Sequence, residues 1–261
     1  MKNWNQINVK IFTVFILVHI STFYCLTYVT FKIEYLYYAL GMYFFRWAAF
    51  TCCLHRYFAH RVCKTSRIFQ FFLGLWGTLS MIRGPLTFSS GHRLHHQKAD
   101  TPEDLHSIHH HHPLYAYLGW VISKRYDENK IGLIKDLQKF PELYYLNKFY
   151  YVPNLILLYI FYRYGNFAVM TWAGLVSILM TWHMAFSVTI LFHKWGVQNY
   201  QTNDYSRNSF SLNLFTLGEG WHNNHHFNMN SARLGHKWWQ IDPGYWILWC
   251  FEKVGLVWKL K

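Results

Sequence analysis

The chain has 261 residues, 52% of them hydrophobic and 21% aromatic, with 20 Tyr and 22 Phe. That length allows one domain or a compact membrane protein, and the aromatic load suits lipid-facing and interfacial helices better than a soluble core. The five cysteines (Cys25, Cys52, Cys53, Cys63 and Cys250) form no CxxC pair, which excludes a disulfide framework and a zinc ribbon and leaves reduced structural thiols.

The start, Met1-Lys2-Asn3-Trp4, leads into an apolar run too long for a signal-peptide core and without a small-residue cleavage site. It reads as a retained first helix. No charged residue occurs from Ile11 to Phe31, a stretch long enough for the roughly 20 residues that cross a bilayer. A second span, 35–54, is broken only by Arg46, and the segment from Arg67 to Ile82 is apolar but short, which fits an interfacial helix. A polar block from Arg83 to Glu142 follows, basic near Lys124, Arg125 and Lys130. A weaker third span, 143–162, carries Lys148, and the Gly165–Asn166 pair marks a turn into a long fourth span, 167–192. A polar tail ends in an aromatic-rich stretch from Trp238 to Trp258. The mean hydropathy of zero is thus an average over apolar spans and a polar remainder. No internal repeat or second domain is evident, so 1–261 reads as a single domain.

Seventeen histidines stand out less by number than by order. His55 and His60 bracket HRYFAH, directly after the second span. His92, His95 and His96 form HRLHH, and His222, His225 and His226 form HNNHH. Positions i, i+3 and i+4 share one helix face, so each HxxHH triplet can aim three imidazoles at one point. The HxxxxH pair lies about 140° apart on an ideal helix and needs a helix end or a local distortion to converge. Imidazole suits iron, zinc, copper and nickel alike. A single HxxHH is weak evidence, but two of them beside an HxxxxH point to a shared metal site.

Convergence constrains topology. If the clusters meet, spans one and two must return the chain to its starting side, Arg67–Ile82 must not cross, and spans three and four must go out and back. Only Lys32 and Arg163 then fall in far-side loops, while most of the 25 Lys and Arg sit with the clusters. The positive-inside rule places the clusters and both termini in the cytoplasm. The +13 charge becomes a membrane-topology signal and nucleic acid drops out as a partner. A membrane metal-binding or transport protein would need histidines along a transmembrane path, whereas here they lie outside the spans.

The motifs HRYFAHR, TSRIFQF, GPLTFSSGHRLHH, D-x-H-S at Asp104–Ser107, YSRNS, GEGWHNNHH, SAR and WWQID stand in a fixed order from Phe45 to Trp246. Together they resemble the membrane acyl-CoA (stearoyl-CoA, Δ9-type) desaturases, particularly their bacterial branch. The resemblance implies an all-α integral-membrane, mushroom-shaped fold, with four transmembrane helices and a cytosolic helical cap (55–142 and 193–261) around two irons. It carries nine metal histidines over to His55, His60, His92, His95, His96, His193, His222, His225 and His226; His193 has no motif of its own. It also implies O2-dependent desaturation of a fatty acyl thioester, on CoA or acyl carrier protein. Since the chain contains neither an HPGG haem pattern nor a CxxC cluster, a separate ferredoxin- or cytochrome-b5-type donor with its reductase is expected.

The chain also departs from the family pattern. Thr189 stands where the family has an asparagine that holds a metal-linked water, Phe88 replaces a Trp, His109–Pro113 replaces a Pro-x-x-x-Gly-Phe pattern, and Tyr117 replaces a His. Changed surroundings around an intact histidine set keep acetylenase, hydroxylase and alkane-type monooxygenase open as alternatives. Asp104 and His106 are expected beside the metal cap, with the carboxylate orienting an imidazole. His109–His112 reads as a solvated run, and His19 and His183, inside apolar spans, as an interhelical hydrogen bond. Arg46 has two readings, pairing within the bundle or contacting an acyl carrier. Arg207 and Asn208 likewise divide between supporting the cap and contacting the carrier.

Overall fold

The computed structural model describes residues 6–128 and 131–261; Lys2 and Lys130 lie outside these. Helix α1 (Val9–Thr27) starts where the Asn8 side chain accepts from the Ile11 N–H, an N-cap arrangement. Helix α2 (Ile33–Ala48) runs without a break into a π-helical stretch, Ala49–Ala59, which carries the HRYFAH motif. After α3 (Arg67–Thr78) comes α4 (Pro85–Lys98), which holds HRLHH. Short helices α5 (Lys124–Asp127) and α6 (Lys135–Gln138) lead to α7 (Pro141–Lys148) and α8 (Val152–Ile160). Helices α9 (Phe167–Val169) and α10 (Ser177–Lys194) belong to one continuous 28-residue helix, with a π-helical stretch between them. The chain closes with α11 (Phe210–Thr216), α12 (His222–Phe227, bearing HNNHH) and α13 (Pro243–Lys253).

Three observations bear on the expected helical layout. The third span does not run unbroken through 143–162: α7 ends at Lys148 and α8 begins at Val152. Pro153, in the first turn of α8, has no N–H to extend a helix from the N-terminal side. Among the described residues, two helices are long and apolar enough to cross a membrane by length and composition, Val9–Thr27 and Phe167–Lys194. Finally, the fold is not wholly helical: β1 (Lys64–Thr65) pairs antiparallel with β2 (Val257–Trp258), Lys64 opposite Trp258. Beside it Lys261 accepts from the Ala232 N–H at 2.9 Å and donates its N–H to Val62 O at 3.0 Å, securing the C-terminal end.

Helix α4 is positioned from outside. Asn147 of α7 accepts from the Leu86 and Thr87 N–H groups at 3.0 and 2.8 Å, satisfying donors that a helix start leaves unpaired. Gly84 makes this docking possible, because a Cβ there would come within 2.4 Å of Asn147 Cα. Arg46 is fully buried and joins four segments, donating to Ser177 at 2.9 Å and to Leu79 O and Asn154. The bundle-pairing reading of Arg46 is the one its contacts support.

His19 and His183 do bond between helices, with Nε2 atoms 3.0 Å apart. His19 Nδ1 lies 2.8 Å from the Phe15 carbonyl, which can only accept, so the neutral ring keeps its proton there and accepts at Nε2. His183 therefore donates from Nε2, and its Nδ1 accepts from the Tyr117 hydroxyl at 2.7 Å. The residue that departs from the family at 117 thus completes a directed chain linking α10 to α1.

Candidate metal centre

The HxxxxH pair converges through the π-helical stretch. An i→i+5 hydrogen bond closes each of its turns, and the His60 N–H donates to the His55 carbonyl at 3.1 Å. Five residues then make little more than one turn, which brings both imidazoles to one face. Arg93 fixes the end of the stretch by donating to Ala59 O and Phe58 O at 2.7 and 2.9 Å and to Asp136 at 2.7 Å.

The structure brings all nine histidines together in two abutting groups. One contains His55, His60, His92, His96 and His225; the other contains His95, His193, His222 and His226. Within each group the ligand atoms lie within 4.8 Å of one another. The rings of His96 and His226, one from each group, are 4.4 Å apart. Neither triplet aims its three imidazoles at one point as expected: each pair at i and i+4 enters one group and the histidine at i+3 enters the other, His92 and His96 parting from His95, and His222 and His226 from His225. His193 arrives at the end of α10, its Nε2 3.1 Å from that of His222.

Nitrogen separations test whether a metal fits. In the five-membered group the Nε2 atoms of the pairs 55–225, 92–60, 96–92 and 225–96 stand 2.8–3.0 Å apart. Ligands at right angles around an ion, each ~2.1 Å from it, would be ~3.0 Å apart, and tetrahedral ones ~3.4 Å. Five nitrogens at the shorter separation fit a five- or six-coordinate ion and not the closed four-coordinate arrangement of structural zinc. In the second group His226 Nε2 is buried with no hydrogen-bond partner, the expected condition of a nitrogen reserved for a metal.

Carboxylates hold the rings from behind. Asp104 pairs with His95 Nδ1 at 3.1 Å, Asp100 with His193 Nδ1 at 2.6 Å and Asp204 with His226 Nδ1 at 2.7 Å. Glu219 Oε2 lies 2.7 Å from His55 Nδ1. A carboxylate that accepts from Nδ1–H leaves the Nε2 lone pair facing the group interior. Asp104 was legible in the D-x-H-S motif. Asp100, Asp204 and Glu219 were not singled out, although Glu219 lies inside GEGWHNNHH and offered a signal. Of the other expected neighbours, His106 lies against the His95 ring at 4.4 Å. The Thr189 hydroxyl donates to Phe186 O at 2.8 Å, three residues back, and to Ala116 O at 3.0 Å.

The asparagines between the histidines are scaffold. Asn208 accepts from the Asn223 and Asn224 N–H groups at 2.9 and 3.2 Å and donates to Asn224 at 2.6 Å. It caps α12 and so supports the cap, while the Arg207 guanidinium donates to Gly196 O at 3.3 Å. Gly218 precedes Glu219 at φ +113°, and a Cβ there would lie 2.1 Å from Asp242 Oδ1. The run 109–112 is mostly exposed, and its described members join neither histidine group.

Burial, reinforced by neighbouring imidazoles, holds His60, His92, His96, His222 and His225 well below the ordinary histidine range. Burial also lowers His226 to about 4 against the pull of Asp204, and His106 to about 3 against that of Asp104. At Asp100 burial works in the opposite direction, but the His193 contact prevails and lowers the carboxyl to about 2. The depressed rings are neutral, the form that ligates, and this has a consequence for metal-free protein. An unfolded chain takes up protons on these rings near pH ~6.5, while the folded chain resists them until His226 titrates at about 4. Stability is therefore complete above pH ~6.5 and falls progressively on acidification towards pH ~4. Thermal unfolding of metal-free protein in detergent is expected at a lower temperature at pH 5 than at pH 7.5; an equal or higher value at pH 5 would contradict the burial of neutral rings.

An apolar cavity of about 80 Å³ abuts both groups. Phe50, Phe88, Val188 and Phe192 line it together with His92, His193 and Thr189. Phe88 stacks on the His92 ring at 5.4 Å. Ile82 also borders a second cavity of about 20 Å³, between Phe15, Trp182 and Phe186.

Fold and site define a helical protein in which two adjoining histidine groups can hold metal at the end of an apolar cavity. The chain belongs to the fatty acid desaturase family, whose model matches residues 33–258, and it is accordingly an oxidoreductase. It is 31% identical to icosanoyl-CoA 5-desaturase of Limnanthes douglasii, over 85% of this chain and 68% of that protein. It is 32% identical to the Delta-9 desaturase-like 4 protein of Arabidopsis thaliana, over 100% of this chain and 87% of that one. A third relative, hex-5-enoyl-[acyl-carrier protein] acetylenase of Moorena producens, is 31% identical over 85% and 75%. The likeness establishes the family and leaves the branch within it open.

Proposed function

We propose that the protein carries out O2-dependent desaturation of a fatty acyl thioester, at two irons held by His55, His60, His92, His96 and His225 on one side and His95, His193, His222 and His226 on the other. The observation that carries this reading is the pair of carboxylate-backed histidine groups beside an apolar cavity. Iron bound there would supply the O2 activation that removes two hydrogens from adjacent methylenes. The protein's own part is to orient the imidazoles through Asp100, Asp104, Asp204 and Glu219, to hold an acyl chain along Phe50, Phe88 and Val188, and to exclude water. Relatives named for acyl-CoA and acyl-carrier-protein substrates make both carriers candidates. Mass spectrometry of free and carrier-bound fatty acids, from cells expressing the protein with a ferredoxin and its reductase, is the test. A new alkene supports desaturation, an alkyne or hydroxyl product selects an alternative, and an unchanged profile with iron present overturns the reading.

The single domain 1–261 is read as membrane-embedded, with four spans, a cytosolic cap and cytoplasmic termini. Outward apolar side chains on α1 (Leu17, Ile20, Phe23) and α8 (Leu155, Ile156, Tyr159) support this, since such a surface suits lipid. Cysteine-accessibility labelling is expected to place positions 98 and 261 in the cytoplasm and the 165–166 turn outside. Position 98 outside would contradict both the topology and the convergence of the histidines.

Thr189 keeps its proposed role as the holder of a metal-linked water through its acceptor lone pairs, its proton being committed to carbonyls. Thr189→Val keeps the shape and removes that capacity. Activity is expected to fall about tenfold or more with fold retained, and Thr189→Asn to keep activity. A Val variant with full iron and full turnover would mean that Thr189 only fastens α10 to the Ala116 backbone.

A further inference from the structure

On the side reached from solvent, a groove of about 370 Å³ runs between Ala59, Arg93, Gly132, Met229 and Asn230, and its floor is formed by His60 and His96. Both belong to the five-histidine group, and each has Nε2 within 3.0 Å of a neighbouring imidazole of that group. The apolar cavity, in contrast, meets the site through His55, His92, His95, His193 and His222. The two histidines of the groove are absent from that cavity, and the acyl-lining residues are absent from the groove.

We propose that this groove is the docking site of a small acidic one-electron carrier of the ferredoxin type, and that electrons enter the centre through the exposed edges of His60 and His96. The proposal rests on the reading of the five-histidine group as a metal site. Electron transfer between proteins falls off steeply with distance, so a carrier must approach where ligand edges reach the surface. Charge favours an acidic partner: Arg93 of the groove wall and Arg61 behind it converge on the single carboxylate of Asp136, at 2.7 and 3.6 Å, leaving one positive charge in excess beside the groove. Exposed Lys135 follows directly, and 25 Lys and Arg face 12 Asp and Glu over the whole chain. Such complementarity chiefly raises the association rate and depends on salt. Two carrier molecules in succession each give up one electron and leave oxidised. With two protons from solvent, and the two protons and electron pair of the two C–H bonds broken in the alkyl chain, these convert O2 to two waters as the C=C bond forms. An acyl carrier protein is also acidic, but among the described residues this groove and the apolar cavity share no lining residue.

Gly132→Trp and Asn230→Glu probe the groove by bulk and by charge. A Cβ added at Gly132 meets nothing within 4 Å, and Asn230 is exposed and belongs to neither histidine group. Lys253→Glu, on exposed α13 surface, controls for net charge. Three quantities are measured on full-length protein in detergent: the affinity for a plant-type [2Fe–2S] ferredoxin, the rate at which reduced ferredoxin reduces the centre, and the rate with dithionite and methyl viologen. Both groove variants are expected to weaken ferredoxin binding about tenfold and slow its electron delivery at least tenfold. Iron content and the dithionite rate should stay within twofold of the unmodified protein, and the control should behave normally. Unchanged ferredoxin binding and reduction in both variants would overturn the proposal, as would weakened binding of acyl carrier protein in place of ferredoxin, or an equal fall in the dithionite rate. Unmodified protein that binds no iron would instead remove the metal reading on which the proposal stands, a result the iron assay reveals separately.

Discussion

Replacing His225 with alanine is expected to abolish turnover, by a factor on the order of a thousand or more, while leaving the protein folded and inserted. His225 Nε2 stands 3.0 Å from the Nε2 atoms of both His55 and His96, so its loss opens one corner of the five-nitrogen group. Changing a group that merely orients a ligand costs about 10–100-fold in metal affinity or activity, and removal of the ligand itself should exceed that. His95→Ala, in the other group, should have the same effect. The fold should survive because neither ring supports a helix; Asn208, Asn223 and Asn224 do that for α12. Iron analysis should find two per chain in the unmodified protein and fewer in either variant. One zinc per chain, or full activity in both variants, would end the di-iron reading.

Arg56→Met should have a different outcome, a protein that largely fails to fold. Arg56 is almost completely buried and donates to Asp242 and to Ala232 O, both at 2.8 Å. Its Nε lies 3.6 Å from Glu219, the carboxylate behind His55. Burial alone would lower the guanidinium pKa, but Asp242 and Glu219 overcome it and raise it. Removing one partner from a buried ion pair costs about 3–5 kcal/mol because the opposite charge stays behind unpaired, a large part of the ~5–15 kcal/mol by which most proteins are stable. The yield of monodisperse, detergent-solubilised protein should drop sharply. Asp242→Asn added to Arg56→Met should recover part of it, since the stranded charge is then gone. A variant with ordinary yield and melting temperature would show that Arg56 is dispensable to the cap.

The contrast between these two residues marks how far the sequence could be read. His55 and Arg56 are neighbours in HRYFAH, yet only the histidine advertised its role. Histidines at i, i+3 and i+4 share one helix face, so HRLHH and HNNHH declared themselves by spacing, though the division of each triplet between two groups did not show. The long apolar stretches at α1 and α10 were equally visible, because length and lack of charge are one-dimensional properties. The partners of those groups were not visible. Asp100 meets His193, Asp204 meets His226 and Arg56 meets Asp242 across long separations in sequence, and no local period encodes such pairings. The HxxxxH pair needed a distortion whose form, an i→i+5 stretch, depends on packing of 49–59 against α4 and α3. The break between α7 and α8 was missed because a hydropathy window averages over Pro153. Residue type and spacing therefore determined which chemistry the chain holds. Tertiary structure decided which side chains orient, neutralise and enclose it, because burial and long-range ion pairing exist only once the helices have met.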